Sequence, residues 1–210
     1  MQTTNPPPPP SSHERMLQAA VRLFSQQGFA HTSTAQVARE AGTSESQLIK
    51  HFGSKEGLLD AIFEQAWREL NAEVATLVAG ADSPAGAIRT LMRFMLARLD
   101  KQPQVKRLML FEGRRMRAHG LAVTSGFRHF VDRLDSLLRQ ARRTGALRLN
   151  LPIAAIRSAL IATAEGLLRD RILSVESGYP ASYSARDITR AMDAVIDTFI
   201  ARPGRRVPGE

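Results

Sequence analysis

The side chains able to do chemistry in this chain are a few scattered histidines and carboxylates, a run of hydroxyl, amide and cationic groups between Ser33 and Lys55, and many arginines. Cysteine is absent, which excludes a thiolate nucleophile, a thiolate zinc site and a disulfide framework. His13, His31 and His51 lack the spacing of metal ligands. Glu112 with His119 and His129 has the residue types for acid–base work, but they are scattered along amphipathic helical pattern. No nucleophile–base order, phosphate-cradling glycine loop or metal box accompanies them. No cofactor or metal is expected. The run of hydroxyl, amide and cationic groups between Ser33 and Lys55 lies instead on a helical pattern, and what it can do depends on how helices present it.

Positioning such a run requires helices. The chain has 210 residues, enough for one or two domains with a buried core. Apolar residues recur at three and four positions, and no alternating β-branched run appears, so an all-α fold of about nine helices is predicted. Pro6–Pro10 mark residues 1–11 as an extended or disordered arm. The first helix is expected over 12–27, with Met16, Leu17, Ala20, Leu23 and Phe24 on one face. Ser33 with Gln36, and Ser44 with Gln47, have capping-box spacing and open short helices over 34–40 and 45–51. Ser54 caps a longer helix to about 78. Ser83-Pro84, Pro103 and Pro152 mark further starts, and Gly145 and Gly178-Tyr179-Pro180 mark breaks. The last helix is placed at about 185–201, ahead of a loose basic tail at 202–210.

Residues 34–52 fit a helix-turn-helix. Ala38 is small where two helices cross, Gly42 can take the left-handed conformation between them, and Leu48 returns to the core beside Val37. On spacing alone a plain αα-hairpin fits as well. The surrounding text is more specific: Ala19-Ala20-x-x-Leu23-Phe24, Gly28-Phe29, Thr32-Ser33, Val37-Ala38-x-x-Ala41-Gly42-x-Ser44, Leu48, His51-Phe52-x-Ser54-Lys55-Glu56-x-Leu58. Residues 15–59 thereby resemble the N-terminal domain of the TetR (tetracycline-repressor-like) family of bacterial transcription regulators.

That resemblance implies a three-helix DNA-binding domain, placed at 12–56, followed at 57–201 by a larger helical domain that dimerises and binds a small-molecule inducer. The implied partners are double-stranded operator DNA, a second copy of the chain and an unidentified inducer. The implied function is a repressor released from its operator by ligand. An all-α enzyme, or a helical interaction module without sequence-specific DNA binding, are the competing readings. Glu45, Ser46 and Gln47 fall where the family's recognition helix meets the major groove, with Ile49, Lys50 and His51 on its next turn. Ser33 and Thr34 fall beside phosphate at the start of the second helix, and Lys55 beside phosphate at the start of the fourth. Gln47 can pair with adenine or serve as the capping partner of Ser44; Glu45 can accept from a cytosine amino group or simply favour the positive helix end. The chain departs from the family pattern at Thr43, Ser46, Ile49 and Gly57.

In the second domain, the helices expected over 152–175 and 185–201 are more apolar than surface helices need to be. Ile156, Leu160, Leu167, Ile188, Met192, Val195, Ile196 and Phe199 are the candidates for a four-helix dimer interface, with intramolecular core as the alternative. Phe94, Met109, Met116, Phe127 and Phe130, with the polar Glu112, His129 and Glu165, are the candidates for a ligand pocket. The net charge is +9, but residues 11–60 hold five basic and five acidic side chains, whereas 101–150 hold twelve against three. The excess suits attraction to DNA, an anionic ligand or a solvated face. With no signal-peptide pattern and no apolar run of the ~20 residues that span a bilayer, a soluble cytoplasmic protein is expected.

Overall fold

The computed structural model describes residues 9–113 and 123–201, and the backbone alone at 116–117 and 120–121. The basic tail at 202–210, most of the proline arm, Arg114, Arg115, His119 and the side chain of Met116 lie outside the described residues. Nine helices and one two-stranded ladder are present among those described. They are α1 (Ser12–Gln27), α2 (Thr34–Glu40), α3 (Glu45–Phe52), α4 (Lys55–Ala79), α5 (Pro84–Asp100), α6 (Pro103–Glu112), β1 (Met116–Arg117), β2 (Gly120–Leu121), α7 (Ser125–Arg143), α8 (Ile153–Ser177) and α9 (Ala185–Phe199). The fold is all-α apart from the antiparallel pair β1–β2, with Met116 opposite Leu121. No helix among the described residues is long and apolar enough to cross a membrane.

The chain divides between Phe63 and Glu64 into two compact units. The first unit extends past the boundary expected at 56/57, because the first turns of α4, carrying the buried Leu58, Leu59, Ile62 and Phe63, fall within it. In that unit α1 packs on α2 and α2 on α3. Met16, Ala19, Ala20, Phe24, Val37, Ala38 and Leu48 form its core, each at most 2% exposed. Gly42 makes the turn at φ 66°, and the amide of Thr43 returns to the Ala38 carbonyl at 2.9 Å. This left-handed closure is easy for glycine and strained for any residue with a Cβ.

In the second unit α5 packs on α7, α9 and α6, and α8 on α7, α9 and α6. Ile88, Leu91 and Met92 of α5, Phe130, Leu134 and Leu138 of α7, and Ile156 and Leu160 of α8 are all buried in its core. Ion pairs join the same helices. Arg89 pairs with Asp197, Arg93 holds Asp193 through two bonds at 2.9 and 2.6 Å, and Arg157 reaches Asp135 at 2.7 Å. Asp100 is shared by Lys106 and Arg171, at 2.9 and 3.2 Å. The hydrogen bond from Lys106 is the main cause holding the Asp100 carboxyl below its usual range.

The remainder of α4 is fastened to the first turn of α7. Ser125 Oγ and the Gly126 amide donate to Glu64 at 2.6 and 2.9 Å, and Asn71 Nδ2 donates to the Gly126 carbonyl at 2.8 Å. Burial pushes the Glu64 carboxyl up, and these two hydrogen bonds outweigh it, so its pKa is lowered. Trp67 stacks on Phe127 and Phe130 with centroids 5.0 and 5.1 Å away. A Cβ at Gly126 would lie 2.6 Å from Trp67 Cβ, so only glycine admits this approach.

Candidate nucleic-acid interface

The start of α2 and the exposed side of α3 bring together most of the polar residues singled out in the sequence. Ser33 forms a full capping box with Gln36: the Gln36 amide donates to Ser33 Oγ at 3.2 Å, and the Ser33 amide donates back to Gln36 Oε1 at 2.8 Å. Such caps contribute about 1 kcal/mol each. At α3 only half of the box forms. The Gln47 amide donates to Ser44 Oγ at 3.2 Å, but the Gln47 side chain turns to Thr43, whose hydroxyl donates to Gln47 Oε1. Gln47 is thus not a reciprocal capping partner, and its amide nitrogen is left to meet an outside acceptor.

Leu48 is fully buried, which fixes how α3 is turned. At 100° per residue, positions two before and two after it lie roughly 160° away and face outward. Ser46 and Lys50 occupy those positions and are exposed, flanked by exposed Gln47 and by Ile49 at 41%. Ser46 Oγ shares a hydrogen bond with Ser44 Oγ at 3.0 Å. Glu45 lies at the edge nearest α2, where the hydroxyl of half-buried Thr34 donates to its carboxylate. His51 is exposed at the end of α3, edge-on to His13 of α1 at 5.9 Å, and His13 lies 5.0 Å from the Phe52 ring.

Lys55, half-buried, is bonded within its own unit. Its ammonium donates to the carbonyls of Phe29 and Thr32, both at 3.0 Å, and sits 4.6 Å above the Phe29 ring. Two of its three donors hold the α1–α2 loop, so its first task is local structure. Arg15 likewise donates to the carbonyls of Ala41 and Pro10, at 3.1 and 3.0 Å, and Arg22 pairs with Glu40 at 3.1 Å. No group of His, Asp and Glu side chains suited to a metal occurs among the described residues.

The candidates of the second unit separate by burial. Ile156, Leu160, Met192 and Ile196 are 0% exposed and Ile188 2%. Their side chains are buried within their own unit. Leu167, Val195 and Phe199 are half-buried, while Ala154, Ala155, Ser158 and Ala162 of α8 and Ala194 and Thr198 of α9 are exposed. Among the ligand candidates, Phe130 is fully buried against Trp67 and His129 is exposed. Phe94, Met109, Glu112, Phe127 and Glu165 are half-buried. One group the sequence did not mark is Asn71, whose Oδ1 is buried without a hydrogen-bond partner. Mid-helix asparagines carry no spacing that would have revealed it.

Comparison with known proteins agrees with this geometry. Residues 16–62 match the family model described as bacterial regulatory proteins, tetR family. The chain is 28% identical over 141 residues to the nucleoid occlusion factor SlmA of Vibrio cholerae, covering 64% of this chain and 68% of that protein. It is similar to SmeT, the repressor of the Stenotrophomonas maltophilia multidrug efflux pump SmeDEF. The two share 25% identity and a TM-score of 0.71, covering 95% of each chain. The fold also matches the fatty acid degradation regulator FadR from Bacillus halodurans, with a TM-score of 0.76 at 15% identity over 92% of this chain and 100% of that one. The capped helix-turn-helix thus lies within the segment that matches the tetR family model, and the helical fold of the chain is similar to that of SmeT over 95% of its length.

Proposed function

We propose that this protein is a sequence-specific, dimeric transcriptional repressor that leaves its operator when a small molecule binds its second unit. The observation that carries the proposal is the outward face of α3. Ser46 and Lys50 project from a helix anchored by buried Leu48, with Gln47 and Ile49 beside them. On this reading Lys50 and His51 meet phosphate, and Gln47 and Glu45 meet base edges. The match to the SmeT repressor supports repression rather than activation.

A dimer follows from the DNA: two recognition helices must reach major grooves one turn, ~34 Å, apart. Because the apolar stripes of α8 and α9 are consumed internally, the partner meets their outer faces. Small side chains such as Ala155, Ser158, Ala162 and Ala194 there let helices approach closely, rimmed by Leu167, Val195 and Phe199. The half-buried Phe94, Met109 and Phe127 are the side chains assigned to inducer uptake, and the unpartnered Asn71 Oδ1, whose own amide nitrogen bonds the Gly126 carbonyl next to Phe127, is a candidate acceptor for it. Binding shifts the population toward a dimer with mis-spaced recognition helices.

The test is a gel shift with the promoter beside the protein's own gene, followed by ligand titration. Specific retardation that is weakened in Lys50→Ala and relieved by a ligand is expected; no sequence-specific binding to any duplex would overturn the proposal. The similarity to SlmA supports a second reading, nucleoid occlusion. Genome-wide site mapping separates the two, with a few promoter sites for the repressor and many dispersed ones for the alternative.

A further inference from the structure

Glu45 puts a carboxylate on a surface proposed to meet phosphate. It is exposed in the first turn of α3, and Thr34, at the start of α2, donates its hydroxyl proton to it. A threonine hydroxyl has one proton, so with Glu45 as its acceptor Thr34 shows an approaching phosphate only lone pairs. The contact therefore removes one phosphate donor and adds one negative charge at the same edge.

The charge matters because this unit has little to set against it. Residues 11–60 hold five cations and five carboxylates. Arg15 and Lys55 are bonded to backbone carbonyls and Arg22 to Glu40. Arg39 and Lys50 are exposed and make no side-chain hydrogen bond or ion pair among the described residues. One carboxylate fixed on the reading side is a large fraction of that field, and sequence-independent DNA binding is almost wholly electrostatic.

Resting on the DNA-binding reading above, we infer that Glu45, clamped by Thr34, is a specificity-determining residue that works by exclusion. Its charge weakens backbone binding to DNA of any sequence, and the loss is offset only where a cytosine presents its N4 amino group to the free carboxylate oxygen. Acceptance from cytosine N4 is the pairing a carboxylate makes in the major groove. Thr34 is the positioning residue: it holds Glu45 at the edge nearest α2 before DNA arrives and limits the cost of ordering it on binding.

The experiment uses the full chain and selection from a random duplex library, followed by anisotropy titrations on the enriched duplex and on an unrelated one. Glu45→Gln, isosteric and uncharged, is expected to bind the unrelated duplex about three- to tenfold more tightly and to lose a cytosine preference at one operator position. Thr34→Val keeps the charge and frees the carboxylate. It is expected to leave binding to unrelated DNA weak while blurring the same cytosine preference about threefold. An unchanged base profile in Glu45→Gln, or unchanged affinity for unrelated DNA, overturns the inference while leaving the regulator reading intact. A wild-type chain that enriches no sequence overturns both.

Discussion

Between residues 11 and 60 five basic side chains stand against five acidic ones, and between 101 and 150 twelve stand against three. The helix-turn-helix lies in the first stretch and the excess charge in the second. In the first unit the cations are largely consumed by structure, Lys55 on two carbonyls and Arg15 on two more. In the second unit many arginines tie helix to helix, but Arg139, Arg143 and Arg148 are exposed and form no ion pair among the described residues. Net basicity is therefore no guide to where this protein meets DNA. The proposed DNA face is set by which way α3 is turned, and that is decided by one buried leucine.

The sharpest way to break this comparison is to remove that leucine. Leu48→Ala should cost the first unit about 2–5 kcal/mol, the usual range for a fully buried leucine, and abolish operator binding. The single tryptophan, Trp67, lies in the second unit, so its fluorescence in urea reports that unit and should keep its midpoint. A shared loss in fluorescence and circular dichroism would show that the two units unfold as one. Gly126→Ala makes the reverse experiment. A methyl group 2.6 Å from Trp67 Cβ overpacks the α4–α7 contact, at about 1–3 kcal/mol. The Trp67 transition should move to lower urea.

Acid should act on the second unit through the same contact. The Glu64 pKa is lowered by Ser125 and Gly126 against the opposing effect of burial. Its contribution is therefore complete above the ordinary value of 4.5 and lost as the pH falls through the lower folded value. Glu64→Gln should flatten the acid limb of the Trp67 transition. If both proteins lose stability with the same pH profile, the Glu64 contact is not the source. On the DNA side, Lys50→Ala should weaken operator binding about tenfold and reduce the magnitude of the salt slope by about 1, as for one lost phosphate contact. An unchanged slope would assign Lys50 to base reading instead.

How much of this was legible beforehand follows a physical line. Helix starts marked by Ser33, Ser44, Ser83-Pro84 and Pro103 were readable because caps and proline act within one turn of chain. The turn at Gly42 was readable because few residues tolerate its φ. What a long side chain touches across the fold was not. Lys55 reaches carbonyls 26 and 23 residues away, and Thr34 meets Glu45 across the turn. The apolar stripe Ile188, Met192, Ile196 has the same spacing whether it faces a partner or its own core, and burial within one chain decides between them. Gly57, a departure in the sequence, has a local cause, since a Cβ there would lie 2.0 Å from the Phe52 carbonyl oxygen.

The smallest effect bears most directly on the charge asymmetry. If the second unit's arginines only enlarge the long-range field, replacing Arg139, Arg143 and Arg148 together by glutamine should leave operator affinity within about twofold at physiological salt. At 0.15 M the Debye length is about 8 Å, too short for exposed charges outside the interface to act at equilibrium. Association at low salt, where the screening length reaches about 30 Å, should slow several-fold while dissociation stays unchanged. Stopped-flow anisotropy at two salt concentrations separates the rates. A large loss at physiological salt carried by faster dissociation would mean that these arginines touch DNA directly, and the division between a neutral reading unit and a basic field would fail.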